Sequence, residues 1–213
     1  MYIYVPIITK LKGFNLNKLL KIDTSIRNNN SHSRDLANKY ETKWQSMHSE
    51  GSVTYRDLSQ TDIPHVSHAF IEAMYTSEEN KNETIHNILS LSDELISELK
   101  EADTILLSTP MYNFSVPSKL KAYIDHISRI GETFSKDESG YTGLLTGKKL
   151  VIIAAYGADF SQMRSMDFLE PYLKTLFGFL GFTDVEYYAI EETNMLDKEE
   201  LEVKKLALER QFN

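Results

Sequence analysis

The sequence predicts a three-layer, doubly wound α/β fold around a five-stranded parallel sheet. Short apolar runs alternate with amphipathic helical stretches along the whole chain, which is the pattern of successive βα units. The runs at 104–109 and 149–156 are apolar almost throughout, as strands covered on both faces must be. At 213 residues, with no internal repeat and no low-complexity linker, the chain suits one domain with a sizeable core.

The opening "MYIYVPIITKLKGF" carries Pro6 within it and no charged segment ahead of it. It is too short to span a bilayer and lacks the layout of a signal peptide. Residues 1–17 therefore read as an extension, either an extra edge strand or a poorly ordered tail, ahead of a single domain over 18–213.

"KLLKIDTS" (18–25) is the first strand and runs into a polar loop. The helix that follows, over 33–51, sets Leu36, Tyr40, Trp44 and Met47 at helical spacing and stops at Gly51. "SVTYRDL" is a second, shorter strand. Residues 59–80 hold Pro64, two histidines and scattered aromatics, and predict a long connection with some helix. Over 83–103, Ile85, Ile88, Leu89, Leu91, Leu95, Ile96 and Leu99 form one apolar stripe, so this stretch is an amphipathic helix.

"TILLST" (104–109) is the third strand. A helix from Pro117 shows Leu120, Tyr123, Ile124, Ile127 and Ile130 on one face, with proline in its first turn. Residues 131–147 read as a glycine-bearing loop. "KLVIIAAY" is the fourth strand, "DFLEPYLKTLFGFLGF" a helix, "DVEYYAI" the fifth strand and "DKEELEVKKLALERQF" a charged closing helix. Five strands in this alternation point to the flavodoxin-like order 2-1-3-4-5, whose switch point lies between strands 1 and 3.

Composition excludes several classes of function. With no cysteine there are no disulfides, thiolate nucleophiles, iron–sulfur clusters or zinc ribbons, and the absence fits a reducing cytoplasm. A net charge of −8 argues against non-specific nucleic-acid binding and against docking on an anionic membrane. The six histidines are scattered without metal-ligand spacing, so no metal site is expected. There is no G-x-S-x-G, no G-x-x-x-x-G-K-[ST] and no H-E-x-x-H.

In doubly wound sheets ligands bind outside the carboxyl ends of strands beside the switch point, which directs attention to the loops after strands 1, 3 and 4. After strand 1, "TSIRNNNSHSRDL" gathers Thr24, Ser25, Ser31 and Ser33 with three asparagines at a helix N-terminus. Exposed amides and the helix dipole favour an anion there, and hydroxyls add donors. Asparagine tolerates left-handed backbone angles, so Asn28 to Asn30 can replace the usual glycines. Arg27, His32 and Arg34 bring local positive charge. The plainer alternative is that Ser31 or Ser33 merely caps the helix.

After strand 3, Met111, Tyr112, Asn113 and Phe114 stand where a simple turn would carry glycine, aspartate or serine. They offer a wall for a planar ring, with the amides of 112–114 at its edge; the alternative is that these side chains only pack on neighbouring helices. After strand 4, Gly157 permits close backbone approach and Tyr156 offers a ring for stacking. A nucleotide-like cofactor with a phosphate tail and a flat head satisfies all three loops.

The stretches "TPMYNFSVPSKLKAYIDHISRIGETF", "GLLTGKK" and "PYLKTLFGFLGFTDV" resemble the FMN-dependent NADH-azoreductases, a quinone-reductase branch of the flavodoxin-like superfamily. The resemblance runs from about Lys18 to near the C-terminus. It implies a homodimer with one tightly bound FMN per subunit near the subunit interface. NADH or NADPH would reduce the flavin, which would pass two electrons to a quinone or an azo compound by a ping-pong route. Position by position, Ser25 and Ser31-His32-Ser33 match the phosphate loop, and Met111, Tyr112, Asn113 and Phe114 match the isoalloxazine loop. The family's Ser-Arg-Gly-Gly-like run reads Ala155-Tyr156-Gly157-Ala158 here, so only Gly157 matches and contacts from the backbone are what remain. Hydride moves at flavin N5, so no catalytic side chain is expected. Rival readings are an electron carrier on the same fold and, with less support, a phosphoester hydrolase. A compact loop for one phosphate, without a second mononucleotide-binding half, favours FMN over FAD.

Overall fold

The computed structural model describes residues 17–27 and 29–212. The expectations for residues 1–16 and for Asn28 lie outside the described residues. The parallel sheet is built from β1 (Lys18–Asp23), β2 (Ser52–Asp57), β3 (Thr104–Pro110), β6 (Lys149–Ala155) and β7 (Asp184–Ile190), in the order β2-β1-β3-β6-β7. A separate antiparallel pair, β4 (Phe134–Asp137) and β5 (Gly140–Gly143), lies between β3 and β6 in the chain. The helices are α1 (His32–Met47), α2 (His68–Tyr75), α3 (Glu83–Glu101), α4 (Ser118–Ile127), α5 (Glu170–Leu180) and α6 (Lys198–Glu209).

Strand alternation divides the core into two layers. On one face Leu20, Ile22, Ile105, Leu107, Leu150 and Ile152 pack with residues of α3, α4 and α5. Their chain neighbours Leu19, Leu106, Val151 and Ile153 point to the other face, against α1 and α6. Successive side chains must face opposite ways in a strand, so a run without polar interruption needs helices on both sides. Each Leu or Ile so buried stabilises by about 1.5–3 kcal/mol. Among the described residues of these strands, Lys21 is the buried charged side chain. It is 4% exposed, and its ammonium reaches Glu41 of α1 at 2.8 Å.

Several expectations need correction. Residues 131–147 are not a plain loop, because β4 and β5 form a hairpin there. The signal was the alternation of Phe134 and Tyr141 with polar residues, masked by the short strands and the glycines. The hairpin is held on the end of α5 by backbone: a Cβ on Gly143 would sit 2.2 Å from the nitrogen of Gly181, itself at φ 112. Phe134, Tyr141 and Phe179 close the contact, with Phe134 and Phe179 ring centroids 4.9 Å apart. Helix α4 ends at Ile127, so Ile130 is outside it and partly exposed. Pro117 is the N-cap with ψ 146, not a first-turn residue; either place avoids the need for its missing N–H. Met47, predicted on the buried stripe of α1, is the last residue of that helix and is exposed.

Candidate functional site

A cleft opens at the carboxyl ends of β1, β3, β6 and β7, beside the point where the chain's connections diverge from the β1/β3 pair. One wall comes from the loop after β1 and the start of α1. Ser25, Ser31 and Ser33 line it, and all are buried at 2%, 8% and 0% exposure. Ser31 is the N-cap of α1, but its Oγ accepts from the Arg34 N–H at only 3.5 Å, a weak bond. The Ser31 and Ser33 hydroxyls lie 3.4 Å apart. Capping by one serine therefore leaves buried hydroxyl capacity over, beside the first N–H groups of a helix, which have no partner within it. Asn30 takes φ 59, the left-handed geometry that asparagine accommodates.

The charge at this wall differs from expectation. Burial lowers the pKa of His32, and Lys205 lowers it further against the opposing pull of Asp35, so the imidazole is neutral at neutral pH. Arg34 does not lend its charge to the cleft. Its two terminal nitrogens grip Asp57 at 2.8 and 2.7 Å, and one donates to the Ser25 carbonyl at 2.6 Å. A guanidinium matched to a carboxylate in this way is neutralised where it stands. Arg27 lines the cleft and remains the cationic side chain at this wall.

The second wall is the turn after β3. Tyr112 and Ser115 exchange N–H···O bonds of 3.0 Å in both directions, and the two residues between them are left-handed, Asn113 at φ 50 and Phe114 at φ 67. This is the geometry of a tight primed turn, which normally carries Asn-Gly. A phenylalanine held at positive φ costs on the order of 1–3 kcal/mol. The surroundings hold it: Phe168 N–H donates to the Phe114 carbonyl at 3.0 Å, and the Phe114 ring meets Phe160 edge-on at 6.4 Å. Pro110, Met111 and Tyr112 line the cleft, whereas Asn113 and Phe114 stand exposed at its rim. The Tyr112 amide is bonded to Ser115, so within 112–114 only the amides of Asn113 and Phe114 are without a main-chain acceptor among the described residues.

The third wall is the loop after β6. Ala155 and Gly157 line the cleft, and Ala158 does not. The Tyr156 ring is not available for stacking, contrary to expectation. It is fully buried, its hydroxyl donates to Asp167 at 3.1 Å and meets the Tyr187 hydroxyl, and burial raises its pKa far above the ordinary phenol range. One residue past the strand end, alternation still sends it into the α5-side core.

Sequence reasoning missed a fourth contribution. Thr193 and Asn194, after β7, line the cleft. Thr193 N–H donates to the Tyr156 carbonyl at 3.0 Å and Asn194 N–H to the Gly157 carbonyl at 3.1 Å, which strings the two loops together. A Cβ on Gly157 would meet Asn194 Nδ2 at 2.5 Å. The available signal was the polar run "EETN" directly after the last apolar strand. Among the described residues no group of three or more His, Cys, Asp or Glu could hold a metal ion, and no helix is long and apolar enough to cross a membrane.

Comparisons with known proteins agree with this fold. The family described as "Flavodoxin-like fold" matches residues 17–212. The FMN-dependent NADH:quinone oxidoreductase of Hydrogenovibrio crunogenus is 48% identical over 169 residues, which cover 78% of this chain and 84% of that one. The protein of the same name from Nostoc punctiforme is 43% identical, over 83% of this chain and 87% of its own. Among solved structures, an azoreductase from Bacillus anthracis superposes with a TM-score of 0.83 at 24% identity, covering 92% of this chain and 96% of that one, a likeness of fold. A near-complete family match, a cleft at the switch point of its sheet and relatives at this identity together place the chain: it belongs to the flavodoxin-like family, among the FMN-dependent NADH:quinone oxidoreductases.

Proposed function

We propose that the protein uses NADH or NADPH to reduce quinones and azo compounds through FMN held in this cleft. The observation that carries the reading is the pairing of two walls at one sheet edge. Three buried hydroxyls stand beside a helix N-terminus on one side, and a strained turn with a thioether and aromatics stands on the other. The donor set fits a phosphate, since serine hydroxyls and helix amides bind an anion without needing a full positive charge. The second wall fits a flat heterocycle, with Met111 and Tyr112 as apolar surface and the Asn113 and Phe114 amides as edge donors.

FMN, when bound, supplies the two-electron chemistry. The chain's residues bind and orient. Ser25, Ser31, Ser33 and the His32 backbone hold the phosphate; Met111 to Phe114 hold the ring; the backbone of Ala155 and Gly157 closes the third side. A neutral His32 adds a hydrogen bond rather than charge. The reading includes a ping-pong order, since donor and acceptor would use the same open ring face in turn. It also includes a cytoplasmic homodimer spanning residues 18–213 of each chain. Phe114 and Phe168, 44% and 59% exposed at the rim, support a partner subunit as cover. Neither nucleic acid nor membrane enters as a partner.

Purified protein mixed with NADH and a quinone gives the test. Flavin-dependent, quinone-dependent NADH oxidation is expected, with FMN released on heating and a dimer in sedimentation. A protein that carries FMN but is not reduced by NADH would be an electron carrier instead. A flavin-free protein that cleaves a phosphoester would be a hydrolase.

A further inference from the structure

Arg34 joins several parts of the site's framework, yet it does not line the cleft. Besides Asp57 and the Ser25 carbonyl, its guanidinium reaches Ser59 Oγ at 3.2 Å and stands 3.5 Å from Asp23 Oδ2. Asp23 in turn accepts from Ser108 Oγ at 2.5 Å. One side chain thus ties the carboxyl ends of β1 and β2, and β3 through Asp23, to the first turn of α1. Among the described residues of the cleft wall, the only main-chain group it holds is the Ser25 carbonyl. Ser25 Oγ accepts from Arg27 N–H at 3.2 Å, so fixing this carbonyl also fixes the start of the loop that carries Arg27.

We propose that Arg34 is a positioning residue for the cofactor's phosphate, acting through the Ser25 carbonyl with Asp57 as its anchor. The proposal rests on the reading of the cleft as an FMN site. The planar fork is what makes the geometry. Two nitrogens satisfy Asp57 together, and one of them is left in line with Ser25; a lysine ammonium cannot span both at once. A wandering Ser25 loop would weaken whatever the loop binds, the phosphate, and leave the ring's wall at 111–114 untouched.

Flavin-free protein titrated with FMN and, separately, with riboflavin tests this by fluorescence quenching. Riboflavin lacks the phosphate but shares the ring. Arg34→Lys should weaken FMN binding about tenfold, equivalent to about 1.4 kcal/mol, with riboflavin affinity within about twofold of wild type. Asp57→Asn, a milder change outside the cleft, should shift FMN in the same direction and serves if Arg34→Lys does not fold. In a Ser25→Ala background the Arg34→Lys effect on FMN should shrink, since residues acting through one another are not additive. Equal losses for FMN and riboflavin, or a lowered Tm with unchanged FMN affinity, would reduce Arg34 to a structural role and overturn the proposal. Wild-type protein that binds neither flavin would overturn the cofactor reading itself.

Discussion

The amide of Phe168 donates to the carbonyl of Phe114 at 3.0 Å, so the loop that leads into α5 braces the turn that follows β3. That turn holds a phenylalanine at φ 67, where a side chain without glycine's freedom is strained. The bond accounts for how the strain persists, and the exposed ring at the cleft rim accounts for what it serves.

Phe114→Gly should therefore cost little stability, because relief of the backbone offsets the loss of a half-exposed ring. Phe114→Val should be the less stable of the two by about 1–2 kcal/mol, since a branched Cβ tolerates the left-handed region poorly. Urea unfolding of both variants decides it. If valine matches glycine, the turn is not held in that geometry in solution.

Replacing Ser31 and Ser33 together by alanine should lower FMN affinity at least about tenfold, as two hydroxyl donors to a charged phosphate are lost. The weak cap at Ser31 predicts a stability loss of about 1 kcal/mol or less. Equilibrium dialysis against FMN and a thermal melt separate the two effects. An unchanged flavin affinity would leave these serines as helix caps.

Gly157→Ala would put its methyl 2.5 Å from Asn194 Nδ2. The amide is the end of a side chain that can swing away, so the fold should survive while the cleft is reshaped. We expect FMN affinity to fall several-fold, on the order of 1 kcal/mol, and Asn194→Ala to recover part of it by freeing the space. A double variant no better than Gly157→Ala would count against this clash.

Asp57 gives a pH signature. Burial raises its pKa, but Arg34 and the Ser59 hydroxyl and amide more than offset this, and the net shift is downward. A carboxylate with a lowered folded pKa adds stability above its unfolded pKa of about 3.9, and that stability fades as pH falls through the folded value. The Tm gap between wild type and Asp57→Asn should thus be full at pH 7 and close below about pH 4. Melts across pH 2.5–8, a range set about the ordinary carboxylate pKa, provide the measurement. A gap that persists unchanged in acid would mean that the pair's charge is not what stabilises.

The sequence by itself determined the layers, the alternation and the place of the cleft, because these depend on which residues must leave water. Unbroken apolar runs such as 150–155 force helices onto both faces, and strand ends set beside a polar loop mark where a ligand fits. The residue types of both main walls were legible for the same local reason: serines gathered at a helix start, bulky residues where a turn wants glycine. Tertiary structure decided what depends on partners far along the chain. Arg34 looked available until Asp57, 23 residues on, was brought beside it. Tyr156 looked like a stacking ring until Asp167 and Tyr187 closed around its hydroxyl. Thr193 and Asn194 joined the cleft only because β7 is parallel to β6, which sets their loop beside Gly157. The hairpin at 134–143 was hard to read because its strands are short and flanked by glycines, and the backbone contact that seats it on Gly181 adds no side-chain pattern.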